Sequence, residues 1–183
     1  MIEKIFEDVK EKFKDHPKRF THTLGVIKTA VSLSLRYGVN SEKAYLAALF
    51  HDYTKYETIA EQTKVLSQEE ITKFEDEPVI YHALSAAETL KNKYQITDTE
   101  ILNAIRHHVY GNTNMTTLDK IILVADKTEP SRDYPLVHDL RKMSLNSLDQ
   151  TIIMYLEDRI KKDKDKKNKN TKKLQEIIES IGE

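Results

Sequence analysis

His51 and Asp52 stand side by side at the end of the apolar run Ala44-Tyr45-Leu46-Ala47-Ala48-Leu49-Phe50. Burying an imidazole and a carboxylate without partners is costly, so a pair in this setting calls for a counter-charge or a cation. The chain offers further imidazole and carboxylate groups at His22, His82, His107-His108 and Asp126, each in or beside a stretch that reads as helix. Together these nitrogens and oxygens make a ligand set large enough for two cations. Cysteine is absent, which excludes disulfides and thiolate sites and leaves imidazole and carboxylate as the metal ligands. A lone helical histidine is more often a hydrogen-bonded core or surface residue, and His16 and His138 are read that way. Helices converging on one core are a standard way to assemble a dinuclear site, while titratable clusters also arise for structural reasons. Both readings fit these residue types.

The elements that must position these groups follow from apolar spacing. Ile2, Ile5, Phe6, Val9 and Phe13 fall on one face of a helix that should stop near Asp15-His16-Pro17. Pro17 suits the first turn of a second helix, which carries His22 and the stripe Phe20, Leu24, Ile27, Val31 and Leu35 until Gly38 ends it. Ser41 is the expected N-cap of a third helix ending around His51. From Tyr53 to Gln62 the periodicity fades, so Lys55 should lie in a loop. Ser67 with Glu70 reads as a capping box, and Pro78 opens a helix through Ile80, Leu84, Ala87 and Leu90 that holds His82. Thr97 with Glu100 repeats the box before Ile101, Leu102, Ile105 and His107-His108, with Gly111-Asn112 as the stop. The run Ile121, Ile122, Val124 and Ala125 leads to Asp126; it is read as helix, although its β-branched content also suits a strand. Glu129 to Pro135 is a loop. Ser147 with Gln150 starts the last long helix, through Leu148, Ile152, Ile153, Leu156 and Ile160.

At 183 residues, with only 4 Gly and 4 Pro and 32% charged residues of mixed sign, the chain reads as one all-α domain over residues 1–183. No apolar run approaches the roughly 20 residues of a membrane span, so a soluble, cytoplasmic protein is expected. A net charge of −1 gives no general attraction to nucleic acid. Residues 159–173 are the exception, with nine basic against two acidic side chains. Such a run is usually a solvated face or linker, with polyphosphate or RNA binding as the alternative. Beyond it Leu174, Ile177, Ile178 and Ile181 resume a helical stripe expected to pack back on the fold.

The order His22, His51-Asp52, His82, His108, Asp126 resembles the H…HD…H…H…D pattern of HD-domain metal-dependent phosphohydrolases. Three stretches bring the chain closer to the YqeK-type bacterial subgroup, described as symmetrical diadenosine tetraphosphate hydrolases that yield two ADP. They are His51-Asp52-Tyr53-Thr54-Lys55, Ala104-Ile105-Arg106-His107-His108 before Gly111, and Ala125-Asp126-Lys127-Thr128-Glu129-Pro130-Ser131-Arg132-Asp133-Tyr134-Pro135. The resemblance spans about residues 18–160. It implies an HD-domain helical bundle with a metal site in its core. His22, His51, Asp52 and Asp126 would hold one metal, and Asp52 would bridge to a second held by His82 and His108. If His107 is the ligand instead, His108 becomes its neighbour available for proton transfer. A shared carboxylate can set two cations about 3.5–4 Å apart, the spacing that suits a bridging hydroxide and a clamped phosphoryl oxygen. The resemblance favours iron, while these ligands also admit manganese, cobalt or zinc.

Lys55, three residues after Asp52, and Arg132, in the loop after Asp126, are read as phosphate ligands beside the metals. A solvated lysine and an Arg132 paired with Asp133 or Asp139 are the structural alternatives. His107 is the expected proton donor to the leaving nucleotide, so Asp52, Lys55 and His107 make up the catalytic set. Gly111 is read first as a turn glycine and second as a point of close approach to substrate. One departure from the subgroup stands out: Lys166-Lys167-Asn168-Lys169-Asn170-Thr171-Lys172 occupies the place of a more apolar segment that contributes to the nucleotide site. The partner expected is a dinucleoside polyphosphate or another nucleotide, with nucleic acid disfavoured and a homodimer left open. Rival readings are an HD-domain nucleotidase or phosphodiesterase with another substrate, and a non-catalytic helical module binding nucleotide or RNA.

Overall fold

The computed structural model describes residues 1–164 and 171–182, with side chains from 1–162 and 171–182. Among them there are eleven α-helices, one short 3-10 turn and no strand. The helices are α1 (Ile2–Lys12), α2 (Pro17–Arg36), α3 (Ser41–Phe50), α4 (Ile59–Thr63), α5 (Gln68–Lys73), α6 (Tyr81–Tyr94), α7 (Thr99–His107), α8 (Thr117–Thr128), α9 (Val137–Ser144), α10 (Leu148–Lys164) and α11 (Thr171–Gly182). Residues 165–170, which carry Lys166, Lys167, Asn168, Lys169 and Asn170 of the basic run, lie outside the described residues.

α2, α3, α7 and α8 form the centre. α2 packs on α3 and α8, α7 on α3, α6 and α8, and α10 covers α8 while holding α9 and α11. α3 and α8 are enclosed by neighbours, which is why their sequences read as almost continuous apolar runs. Leu49, Phe50, Ile121, Ile122 and Leu123 are among the most deeply buried side chains, each contributing about 1.5–3 kcal/mol on burial. The β-branched run of α8 is helical because Thr116 and Asp119 form a reciprocal capping box at its start and tertiary burial outweighs local β preference. Leu174 and Ile177 of α11 are buried where that helix packs back on α10. No helix among the described residues is long and apolar enough to cross a membrane.

Several boundaries differ from the sequence expectation. The N-cap of α3 is Asn40, not Ser41: its side chain accepts from the Glu42 and Lys43 amides at 2.8 and 3.1 Å. Asp98 likewise replaces Thr97 as the cap of α7, accepting from Glu100 and Ile101. Asp is a stronger cap than Thr, and Asn caps as well as Ser and lies one residue earlier. The aperiodic stretch after Tyr53 holds the short helix α4, opened by a Thr58–Glu61 capping box. α2 is turned from its expected phase, since Leu24 and Leu35 are 41% and 72% exposed. Its buried face uses His22, Thr23, Val26, Ile27, Ala30, Leu33 and Ser34, where small side chains let α3 and α8 approach closely.

Candidate metal centre

Five helix ends or turns bring the sequence-predicted groups to one place. His22 projects from the second turn of α2, His51-Asp52 follow the last turn of α3, His82 begins α6, His108 caps α7, and Asp126 lies in the last turn of α8. All six are buried. Two triads with ligand atoms within 4.8 Å of one another, His22/His51/Asp52 and Asp52/His82/His108, share Asp52. The two carboxylate oxygens divide between them. Asp52 Oδ2 lies 3.2 Å from His51 Nε2 and 3.7 Å from His22 Nε2, while Oδ1 lies 3.1 Å from His82 Nε2 and 3.6 Å from His108 Nε2. Asp126 joins the first triad, its Oδ1 3.1 Å from His22 Nε2 and 3.9 Å from His51 Nε2.

The outer nitrogens set the chemistry of the inner ones. His51 Nδ1 lies 2.7 Å from the Ala48 carbonyl, and His108 Nδ1 lies 2.7 Å from the Ile105 carbonyl. His22 Nδ1 faces Glu129 Oε1 at 3.0 Å. A carbonyl or carboxylate there requires a proton on Nδ1, so the Nε2 of each neutral ring is a bare lone pair. His22 Nε2 and His51 Nε2 face one another at 3.3 Å, and His82 Nε2 and His108 Nε2 at 3.1 Å. Opposed lone pairs such as those of His22 and His51 are relieved by an added proton or by a cation, and buried Asp52 Oδ1 has no hydrogen-bond partner. Hard oxygen and borderline imidazole donors, oriented through their outer nitrogens, fit a divalent metal.

Fixed charge surrounds this cluster. Arg19 reaches Asp52 Oδ2 at 2.6 Å, Lys127 reaches Asp126 Oδ2 at 2.7 Å, and Arg132 donates to Asp126 Oδ1 at 2.6 Å and to the Asp126 carbonyl at 2.7 Å. Burial opposes the ionised forms of both aspartates. Around Asp52 the His51 charge and the contacts of His108 and His82 outweigh it, and around Asp126 Lys127, His22 and Arg132 do, holding both carboxyls well below their usual range. Burial lowers His51 too, but the Asp52 and Asp126 carboxylates raise it further. In His108 burial wins and pushes the imidazole down to about 4. Burial also pushes Lys55 down, against the pull of Asp52; its Nζ lies 3.2 Å from His82 Nε2.

Lys55 and Arg132 both line the cavity of about 220 Å³ that opens over Asp52 and Asp126. Arg132 pairs with Asp126 rather than with Asp133 or Asp139. His107 is the correction. Successive residues on a helix point about 100° apart, so when His108 faces Asp52 its neighbour cannot. His107 Nδ1 lies 2.8 Å from Asp119 Oδ2, and the ring lines an adjoining groove with Gly111, away from the six converged groups. The expected proton donor to the leaving nucleotide thus lies outside the six-residue cluster. Gly111 does turn the chain, with φ of 88°, and a Cβ there would lie 3.0 Å from Met115 Sδ. Sequence reasoning missed Arg19, Lys127, Glu129 and Arg159. A carboxylate behind a ligand histidine is a general expectation, but nothing in the sequence selects Glu129 for it; for the three cations, surface and site positions look alike in sequence.

Helices that gather histidines and aspartates around one shared carboxylate define a class, and the HD domain profile matches residues 19–131. The chain belongs to the HD-domain family. It is 37% identical over 150 residues to the symmetrical bis(5'-nucleosyl)-tetraphosphatase of Bacillus subtilis (strain 168), covering 81% of this chain and 80% of that protein. A protein of the same name from Halalkalibacterium halodurans is 38% identical over 157 residues, covering 84% and 82%. Among solved structures, a "predicted HD superfamily hydrolase involved in NAD metabolism" from Clostridium acetobutylicum superposes with a TM-score of 0.88 at 30% identity, over 99% of this chain and 96% of that one.

Proposed function

We propose that this chain is a metal-dependent hydrolase that splits diadenosine tetraphosphate symmetrically into two ADP. The observation that carries the reading is the division of Asp52 between two imidazole pairs, one oxygen to each. The activity named for relatives that match four-fifths of their own length supplies the substrate.

His22, His51, Asp52 and Asp126 would hold one cation and Asp52, His82 and His108 a second, with iron first in preference and manganese, cobalt or zinc compatible with the same donors. Bound there, such cations supply Lewis acidity and activate water near neutral pH. The chain's own side chains do the rest. Glu129 and the Ala48 and Ile105 carbonyls fix three imidazoles with Nε2 inward. Lys55, Arg132, Arg19, Lys127 and Arg159 line the cavity and give a phosphate chain fixed positive charge. Symmetrical hydrolysis adds water across the central anhydride: one ADP takes the new oxygen and the other leaves on the old bridging oxygen. The terminal phosphate so released is a stable anion, which needs no strong acid beside it.

The test is product analysis with elemental analysis of protein purified without a histidine tag. About two transition-metal ions per chain and ADP as the sole nucleotide product support the reading. ATP with AMP, or no turnover after metal reconstitution, overturns it.

A further inference from the structure

α8 delivers Asp126 to the metal centre and stops two residues later, at Thr128. The last four carbonyls of a helix have no partner within it, so a buried helix end needs donors from elsewhere. Here each one is met. The Ala125 carbonyl accepts from the Glu129 amide at 3.0 Å, and that of Asp126 from Arg132 Nε at 2.7 Å. The Lys127 carbonyl accepts from the Tyr134 hydroxyl at 2.6 Å, and that of Thr128 from Arg141 Nε at 2.8 Å.

Arg141 differs from the other donors in where it stands. Arg132 and Tyr134 belong to the turn itself, whereas Arg141 comes from α9, whose Val137 and Leu140 are fully buried. The end of α9 is tied to the end of α2 by the Tyr37 hydroxyl, which donates to the Ser144 carbonyl at 2.8 Å. From this fixed helix Arg141 Nη2 also donates to the Glu129 carbonyl at 2.8 Å and to the Arg132 carbonyl at 2.9 Å. One planar guanidinium therefore holds three carbonyls of the turn, and its charge suits the negative end of the α8 dipole.

The turn carries two side chains that act at the site. Glu129 Oε1 lies 3.0 Å from His22 Nδ1, and Arg132 Nη2 lies 2.6 Å from Asp126 Oδ1. Arg141 fixes the backbone carbonyl of both residues, yet it does not line the cavity over Asp52 and Asp126. Displacing the turn would move the carboxylate behind a ligand histidine and the guanidinium beside the cavity together.

We propose that Arg141 is a positioning residue that sets Glu129 for the metal and Arg132 for the phosphate chain. The phosphate half rests on the diadenosine tetraphosphate reading above; the metal half does not. Arg141→Ala and Arg141→Lys are compared with wild type for metal retention against a chelator and for kcat/KM with metal saturating. Lysine keeps the positive charge at the helix end but lacks the planar fork that reaches three carbonyls. Removing a carboxylate behind a ligand histidine weakens metal affinity about 10–100-fold, so displacing it should weaken retention about 10-fold in both variants. kcat/KM should fall about 10-fold as well, the lower end of what losing an arginine contact to a charged group costs.

A residue that only stabilised the fold would lower the melting temperature and leave both quantities unchanged wherever the variant is folded. Double-mutant cycles identify the route. Added to Glu129→Gln, Arg141→Ala should weaken metal retention no more than about 2-fold further, and added to Arg132→Ala it should lower kcat/KM no more than about 2-fold further. If Arg141→Ala does not fold, Arg141→Lys takes its place in both backgrounds. Multiplicative losses in either cycle, or wild-type metal retention and kcat/KM in folded Arg141→Lys, overturn the proposal. If wild-type protein does not cleave diadenosine tetraphosphate, that reading fails, and chelator competition with the Glu129 cycle still decides the metal half.

Discussion

Glu129 reaches His22 across the α2–α8 contact because Gly25 has no side chain. Glu129 Oε1 lies 3.0 Å from His22 Nδ1, and a Cβ at position 25 would collide with Oε2 of the same carboxylate and lie 3.2 Å from its Cδ. The carboxylate is not free to swing aside. It is buried, and it also accepts from the Ser131 amide at 2.7 Å and the Ser131 hydroxyl at 2.5 Å. A mid-helix glycine thus serves the orientation of a ligand histidine one turn away.

Gly25→Ala should therefore separate stability from metal binding. In an unhindered helix interior the change stabilises by roughly 0.5–1 kcal/mol. Here it displaces Glu129, and loss of a carboxylate behind a metal-binding histidine typically weakens affinity about 10–100-fold. The expected result is protein that melts within a few degrees of wild type but takes up metal more weakly in competition with a chelator. Unchanged uptake would remove Glu129 from the account.

Asp52→Ala should lose both cations together, because each triad draws one oxygen from that carboxylate. Asp126 touches the first triad only. Asp126→Ala should keep roughly one ion per chain while Asp52→Ala keeps close to none. Equal losses in the two variants, read by elemental analysis, would contradict a shared Asp52.

Lys55→Ala and Arg132→Ala probe the phosphate contacts. A hydrogen bond to a charged group is worth about 1.5–3 kcal/mol, so each change should lower kcat/KM for diadenosine tetraphosphate about 10–100-fold. Metal content must be measured alongside, since Arg132 also holds Asp126 at 2.6 Å. If kcat/KM is unaltered in both, neither side chain binds the phosphates.

Much of this site could be read from the sequence. Its six converging groups are polar residues set in apolar helices, a contrast visible in any hydropathy pattern. Which oxygen serves which imidazole pair could not be read, because that depends on how five elements meet. α2 failed for a different reason. Its apolar stripe suggested that Leu24 and Leu35 faced inward, yet the helix buries Thr23, Ala30 and Ser34 instead. Close packing against α3 and α8 selects small side chains, and hydrophobicity alone does not register them. Glu129 was hidden in the same way: a carboxylate after a helix reads as a solvent-exposed loop residue until the partner helix supplies a histidine and a glycine. His107 and His108 could be told apart only by direction, with one imidazole facing Asp52 and the other Asp119.

The Arg106 cluster gives a pH prediction remote from the metal site. Burial would raise the Glu70 pKa, but the Arg106 contact and the hydrogen bonds with Ser67 outweigh it, so the carboxyl lies below its ordinary value. A carboxylate whose pKa is lower in the folded than in the unfolded chain stabilises the fold at pH above the unfolded value, about 4.3 for Glu. That contribution is lost as pH falls through the folded value. Glu70→Gln carries no such titration. Glu70 is partly exposed, so its pairing with Arg106 is worth only about 0.2–1 kcal/mol, or roughly 0.4–4 °C in melting temperature. Wild type should therefore melt higher than Glu70→Gln near pH 7, with the gap closing as pH falls below about 4. Taking the difference between the two proteins cancels the titrations they share. A gap that stays constant from pH 7 to pH 3 would show that Glu70 is not held ionised by Arg106.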